Sequence, residues 1–391
     1  MVAKLIGIGA AGNKAAICAI EAGVIKKEDV LLINSTLKDI PHDYDGTKYC
    51  FDKAYGGCGK ERGVAKNHML ADLQSGSLNI KEFLGINTGN KTEFVVLVSS
   101  TEGGTGSGSV PILAKYIKSA CGVAVRCFSF VGFADDIRGL RNTVEYFQEL
   151  EDNMAVESVS NLKYMDEANG DKLVAEKLAN KDFCVKLSVI LGNFIRESEH
   201  NIDPRDHLKI ISTPNYSVTE YREFSKIKSK KEFKDMVQDM VNSSKCIDLT
   251  KPSQSRLAVI VNIAADSTGI IEYNDVLMSH FGEAFEKFEH IQHEKSMPEF
   301  FAFISVGNKM PTEEIEEIYE EYQARANKMV VDPDEFFAKD FGFDDTDNQF
   351  DLKDEQTMSD ADFFSEFGMS SKTVEKPSKK KGATATTEDP Y

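Results

Sequence analysis

The chain lacks any apolar run approaching the roughly 18 residues that a membrane-spanning helix needs, its apolar stretches being short and interrupted by glycine or charge. A membrane span is therefore not expected. The opening "MVAKLIGIGAAG" is too broken by glycine and too weakly cationic for a secretory signal, and a cytoplasmic location is the expectation. Paired CxxC spacing is also missing. The seven cysteines, Cys18, Cys50, Cys58, Cys121, Cys127, Cys184 and Cys246, are scattered along the chain, which speaks against a zinc site and for reduced thiols. His290 and His293, in "HIQH", stand at one-turn spacing on an expected helix, but no third ligand lies near them in sequence, so no protein-built metal site is expected. Positive charge is in deficit as well: the net charge is −18, and a body of that sign does not bind nucleic acid unaided.

What is present is enough hydrophobic material, 41% of 391 residues, for two packed domains. The first part alternates apolar runs with helical stretches: "AKLIGIG", "AGNKAAICAIEAG", "DVLLIN", then "EFVVLVSS", "GSVPILAKYIKSACG" and "VAVRCFSFVGF". That alternation predicts an α/β fold, a Rossmann-like parallel sheet with helices on its faces. Residues 171–198 carry apolar positions at helical spacing and predict one long, largely buried central helix. Beyond it "HLKIIST", "RLAVIVNIAA" and "EFFAFISVGN" are β-rich, and "KKEFKDMVQDMVNSS", "YNDVLMSHFGEAFEKFEHI" and "TEEIEEIYEEYQARANK" are helical, which predicts a smaller α+β domain. The expected division is a nucleotide-binding domain at 1–170, the helix at 171–198, the C-terminal α+β domain at 199–330 and an acidic, disordered tail at 331–391. The tail holds 16 acidic residues against 7 lysines, half of the net charge, and few aliphatics. Inside it "DEFFAKDFGF" (334–343) and "DADFFSEFGM" (360–369) repeat a pattern of acid, Phe pair and Phe-Gly, which suits a partner-docking motif.

Two glycine-rich loops follow strands directly. "GIGAAGN", Gly7 to Asn13, is G-x-G-x-x-G opening a helix, and "TEGGTGSG", residues 101–108, opens another. Bare glycines let backbone N–H groups approach phosphate oxygens while the helix start favours negative charge. A nicotinamide enzyme would want an acid at the end of the second strand for the ribose hydroxyls; that strand ends "INST", Asn34 to Thr36, without one. Two phosphate loops on successive strand ends suit a mononucleotide gripped from two sides.

"STEGGTGSGS" resembles the signature loop of the tubulin/FtsZ superfamily, and "GIGAAGN" resembles its first phosphate loop. After the long helix comes "HNIDPRDH", with Asn201, Asp203 and Asp206 in the superfamily's N-x-D-x-x-D pattern. The resemblance covers residues 3 to 330. Glu102 stands where the signature has its first glycine, the usual N-T-D after the second strand is "NST", and the ribose loop is recast as "FSFVGFADDIRGLRN", leaving Arg138 and Arg141 as alternatives with Arg141 preferred. Such divergence is similar to the plasmid and phage branch, TubZ-like or phage-tubulin-like.

The resemblance implies GTP, with Mg²⁺, as the ligand and GDP as the product. The implied nucleotide-binding residues are Gly7, Gly9, Ala10, Ala11, Gly12, Asn13, Asn34, Gly57, Gly59, Glu102, Gly103, Gly104, Thr105, Gly106, Ser107 and Arg141, with Asn161, Leu178 and Asp182 at the base. The hydroxyls of Thr105 and Ser107 are placed to donate to phosphate or to line the metal. One carboxylate, Asp182, would accept both donors of guanine, an arrangement that adenine cannot satisfy. Asp203 and Asp206, with Asn201, would polarise water on the GTP of the next subunit, so that hydrolysis follows head-to-tail assembly into a filament. The implied protein is a filament-forming GTPase that moves or positions DNA or phage cargo, through an adaptor on residues 331–391 or the basic "KPSKKK" (Lys376 to Lys381), with any DNA engaged through that adaptor. The alternatives are a nucleotide-binding adaptor with little turnover and an FtsZ-like division-ring protein.

Overall fold

A computed structural model describes residues 1–51, 56–86, 88, 91–150, 154–198, 201–225, 227–246 and 255–331. Ten strands form one sheet: β1 (Ala3–Ile8), β2 (Val30–Asn34), β3 (Thr47–Cys50), β4 (Phe94–Ser100), β5 (Ala124–Val131), β6 (Ala155–Ser160), β7 (Asn215–Glu223), β8 (Ser255–Asn262), β9 (Ala284–Gln292) and β10 (Phe300–Asn308). Their order is β3-β2-β1-β4-β5-β6-β7-β10-β8-β9. β1 to β7 pair in parallel, β10 runs antiparallel to both β7 and β8, and β8 is parallel to β9. The helices are α1 (Gly9–Glu21), α2 (Arg62–Ser75), α3 (Ile80–Phe83), α4 (Gly104–Tyr116), α5 (Ile137–Leu150), α6 (Lys172–Ile190), α7 (Pro204–Ile211), α8 (Lys230–Asn242), α9 (Asn274–Phe281) and α10 (Thr312–Val331).

The central strands are buried on both faces, which is why they read as unbroken apolar runs instead of alternating ones: β2 is "VLLIN" and β4 "FVVLVSS", with Val30, Leu32, Ile33 and Phe94 to Val98 all buried. Parallel pairing sends every connection back across a face, so the carboxyl ends of β1, β2, β4, β5 and β6 lie along one edge. The α/β architecture with a mostly parallel sheet is the one expected from the sequence.

Three local expectations are overturned. "HLKIIST" is not a strand: Pro204 occupies the first helical position, Asp203 caps it, and the segment is α7 up to Ile211. The expected helix through "YNDVLMSHFGEAFEKFEHI" stops at Phe281, because Gly282 takes φ +75° and the remainder becomes β9. His290 therefore sits on a strand, with Nε2 against Gln292 Oε1 at 2.9 Å, while His293 lies just beyond with Nδ1 on the Ile263 carbonyl at 2.6 Å. The central helix ends at Ile190, short of 198, with a turn at 191–194. Among the described residues no helix is long and apolar enough to cross a membrane, and no group of His, Cys, Asp or Glu could hold a metal ion by itself. The tail motifs at 334–343 and 360–369, and all but the first residue of 331–391, lie outside the described residues.

Candidate functional site

α1 begins at Gly9 directly after β1, and α4 begins at Gly104 close behind β4. Neither helix has a side-chain cap and neither carries an acid in its first turn. Each therefore presents unsatisfied backbone N–H groups and the positive end of its dipole at the same sheet edge. The two ends touch. Gly9 has φ +75°, and the direction in which it lacks a side chain points at the Gly106 nitrogen, 3.2 Å from where a Cβ would sit. Gly104 is pressed on a third segment, a Cβ there falling 2.7 Å from the Glu61 nitrogen. The loops containing Gly7 to Asn13, Gly57 to Glu61 and Glu102 to Ser107 thus converge into one cradle of backbone donors, the arrangement that binds phosphate. Ala10 is exposed and Ala11 half-buried, and Gly57 and Gly59, both at positive φ, are exposed with open space beside them.

Polar side chains tie the cradle to its strands. Asn13 is fully buried and donates from Nδ2 to the Ile33 carbonyl at 3.3 Å, while its Oδ1 has no partner among the described residues. Ser35 Oγ and Thr105 Oγ1 are 2.8 Å apart, joining the end of β2 to the first turn of α4. Ser107 turns inward, its hydroxyl donating to the Gly103 carbonyl, so it is engaged within its own helix. Asn34 accepts from the Ser35 nitrogen and donates to Asp39 Oδ2 at 3.0 Å. The strand itself ends without an acid, but Asp39, five positions on in the 3₁₀ turn Leu37–Asp39, brings its carboxylate back to the Asn34 amide.

Glu102 lays its side chain on the loop that follows β5. Its Oε1 accepts from the Ala134 nitrogen at 2.8 Å and its carboxylate lies against Gly132. Burial, reinforced by Asp136, pushes its pKa up although the Ala134 hydrogen bond pulls it down. The backbone of the signature loop is held instead by Asn142, whose Nδ2 reaches both the Lys60 and Glu102 carbonyls, at 3.0 and 2.8 Å. Arg141 Nε pairs with Glu145 at 2.6 Å and Arg138 with Glu61 at 2.9 Å. Sequence reasoning missed Arg62. It is buried at the start of α2 and spans Glu145 at 2.7 Å, Glu149 at 2.9 Å and the Ser107 carbonyl at 3.0 Å. An arginine directly behind a glycine loop was the available signal.

Beyond β6 a single 3₁₀ turn, Asn161–Tyr164, holds Asn161 buried with Oδ1 unpartnered among the described residues. Tyr164 donates its hydroxyl to Asp182 Oδ2 at 2.7 Å, and Leu178 is half-buried one turn before Asp182 on α6. These residues adjoin the same sheet edge as the cradle, because α6 starts there.

Asn201, Asp203 and Asp206 are elsewhere. α6 runs 19 residues, so its end lies ~28 Å from its start. Just after that end, Asn193 donates to the Val24 carbonyl at 2.9 Å, in the turn that leaves α1 at the opposite sheet edge, and His207 of α7 contacts the Ile190 carbonyl at 2.8 Å. Asn201 is exposed and exchanges hydrogen bonds with Ser198. Asp203 is exposed and Asp206 half-buried at the N-terminus of α7. The fold brings the glycine loops and the Asp182 group to one end of the molecule and the two carboxylates to the other.

No protein-family profile matches the chain, and no curated protein does. Solved structures match in fold. TubZ of Clostridium botulinum phage c-st, truncated at its C-terminal tail, is 17% identical with a TM-score of 0.62 over 84% of this chain and 98% of its own. A GTPγS-form protofilament of TubZ from Bacillus thuringiensis serovar israelensis is 15% identical with a TM-score of 0.67, over 86% and 94%. An empty FtsZ dimer from M. jannaschii is 15% identical with a TM-score of 0.61, over 78% and 88%.

Proposed function

We propose that this chain, which has the tubulin/FtsZ fold, binds GTP in the cradle of α1 and α4 and hydrolyses it to GDP and phosphate in joints between copies stacked head to tail. The observation that carries the reading is the separation of the two halves of the site. The uncapped helix ends lie at one sheet edge, while Asp203 and Asp206 lie at the other, beyond the far end of the 19-residue α6. A copy displaced along α6 brings its carboxylates to the cradle of its neighbour, and a displacement that repeats without closing makes a filament. That one of the fold's relatives was solved as a GTPγS-form protofilament supports the same arrangement.

The chain's own residues divide the work. Backbone N–H groups of the two glycine loops take the phosphates, Asp182 and Asn161 read the base, and Asp203 with Asp206 of the adjoining copy orient and polarise water. The donor set fits Mg²⁺ if phosphate and water supply most of its ligands: the Ser35 and Thr105 hydroxyls, 2.8 Å apart, are hard oxygen donors beside the cradle, whereas Glu102 is engaged by the Ala134 nitrogen. Bound there, the ion would neutralise phosphate charge. The cargo side of the reading, DNA or phage material captured through residues 331–391, rests on the repeated acidic Phe motifs alone.

The test is GTP turnover per subunit across a dilution series, with sedimentation alongside. The rate per subunit is expected to climb with concentration in step with pelleted polymer. Equal rates in dilute monomer and in polymer would reject the shared site.

A further inference from the structure

Asp182 is held by one oxygen and free at the other. Its Oδ2 receives the Tyr164 hydroxyl at 2.7 Å and faces Lys186 Nζ at 3.6 Å, while Oδ1 has no partner among the described residues. Three positions before Tyr164, in the same turn, Asn161 is buried and its Oδ1 has no partner among the described residues, whereas Asp182 is half-buried. The Tyr164 hydroxyl is the link between the turn that carries one free acceptor and the helix that carries the other.

Tyr164 is itself immobilised. Its ring is buried and lies under Lys245 Nζ at 5.4 Å from the centroid. Lys245 donates to the Lys163 carbonyl at 2.8 Å, Lys163 donates back to the Cys246 carbonyl at 2.6 Å, and the Ser160 nitrogen donates to the Lys245 carbonyl. The turn is thereby stapled to the strand end it follows and to the segment at 245–246. Beneath Asp182, Lys186 is buried, bonded to Glu220 at 2.8 Å and to the Thr219 carbonyl, and Glu157 next to it pairs with the fully buried Arg126 at 3.0 Å. Burial opposes the charge on Lys186, but Asp182 and the other acidic groups around it hold its pKa well above that of a free lysine. Asp182 thus rests on a permanent cation, and its carboxylate plane is set by the phenol on one side.

We infer that Tyr164 is a positioning residue that fixes Asp182 Oδ1 and Asn161 Oδ1 as a pair of acceptors for the two adjacent donors of a guanine edge, the ring N–H and the 2-amino group. Adenine offers a ring-nitrogen acceptor and a C2–H along that edge, so neither oxygen finds a donor and one faces a lone pair. Hypoxanthine keeps the ring N–H and loses the amino group, so it measures the second acceptor alone. The inference rests on Asp182 as the base reader in the function proposed above and adds what gives that reader its discrimination.

The experiment measures equilibrium binding of GTP, ITP and XTP to the full chain and to its Tyr164→Phe and Asp182→Asn variants, below the concentration at which it assembles. Phe keeps the ring under Lys245, and a melting curve checks that the fold is intact. Losing one hydrogen bond to a carboxylate is expected to weaken GTP about ten-fold, with a smaller loss for ITP, so that the GTP over ITP preference narrows; a change in packing alone would weaken both equally. An unchanged GTP to ITP ratio in Tyr164→Phe overturns the inference. Asp182→Asn, which exchanges one acceptor oxygen for a donor, is expected to shift preference towards XTP, whose 2-position is a carbonyl. If Asp182→Asn leaves the preference for GTP intact, the base-reading assignment fails with it; if Asp182→Asn shifts and Tyr164→Phe does not, the role of Tyr164 alone is wrong.

Discussion

Asp203 Oδ1 accepts a hydrogen bond from the Arg205 nitrogen at 2.7 Å, so the residue assigned to the water of a neighbouring copy also caps its own helix. The two roles separate by substitution. Asn caps as well as Asp, whereas Ala does not. Asp203→Asn is therefore expected to melt with the parent and lose turnover by about a hundred-fold, while Asp203→Ala loses the same turnover and ~1 kcal/mol of stability besides. Thermal melts paired with phosphate-release assays check both; an Asp203→Asn variant with parental turnover would show that the carboxylate does no more than cap.

Gly104 tests the convergence of the loops. A Cβ at this position stands 2.7 Å from backbone atoms of Lys60 and Glu61, which cannot swing aside as a side-chain tip would. Gly104→Ala is expected to cost ~1–3 kcal/mol by overpacking and to weaken GTP more than the fold, because the displaced segments are the walls of the cradle. Calorimetric binding at a temperature well below the melt separates the two effects. Unchanged affinity would mean that the segment at Lys60 is not part of the site.

The two glycine loops were legible in the sequence as helix starts behind strands because the pattern is local: "GIGAAGN" and "EGGTGSG" are each a strand end, a loop and a helix start within a few residues. α7 was not, since "HLKII" is apolar enough for either element and only Pro204 and the Asp203 cap decide it. β9 was misread because its exposed face alternates Phe285, Lys287 and Glu289 with half-buried residues, while the preceding α9 supplied a helical rhythm that ran past Gly282. Asp39, Arg62 and Tyr164 escaped for a third reason. Each acts on a partner that only the fold brings near: Asn34 across a turn, Glu145 and Glu149 across two helices, and Asp182 from the turn ahead of α6.

Arg62 carries a prediction of its own. With its guanidinium buried and shared by Glu145, Glu149 and the Ser107 carbonyl, Arg62→Met leaves two acids and a carbonyl facing an apolar side chain. The loss is expected to reach up to about 3 kcal/mol, since the Ser107 carbonyl and both acids lose a buried donor, although Arg141 still pairs with Glu145 and Lys66 with Glu149. Denaturant unfolding measures it. A loss no larger than about 0.5 kcal/mol would show that the network does not couple the helices.

The acid limb of stability is expected to reveal His207. Burial lowers its pKa in the folded chain, against the opposing pull of the Ile190 carbonyl, and Arg126 and His290 act in the same direction as burial. The unfolded chain therefore binds a proton that the folded chain refuses, and stability must rise with pH wherever that difference exists. The contribution is complete above the unfolded value of about 6.5 and is lost as pH falls from there towards the depressed folded value. His290, also lowered by burial, adds a loss of the same sign over the same range. His207→Gln keeps a neutral donor for the Ile190 carbonyl and cannot take up the proton, so its melting temperature is expected to fall less between pH 7 and pH 5 than that of the parent. Because His207 packs α7 onto the end of α6, protonation there also loosens the element that bears Asp203 and Asp206. In acid the parent is accordingly expected to lose polymer-dependent turnover before it loses GTP binding at the opposite edge, whereas His207→Gln holds the two together.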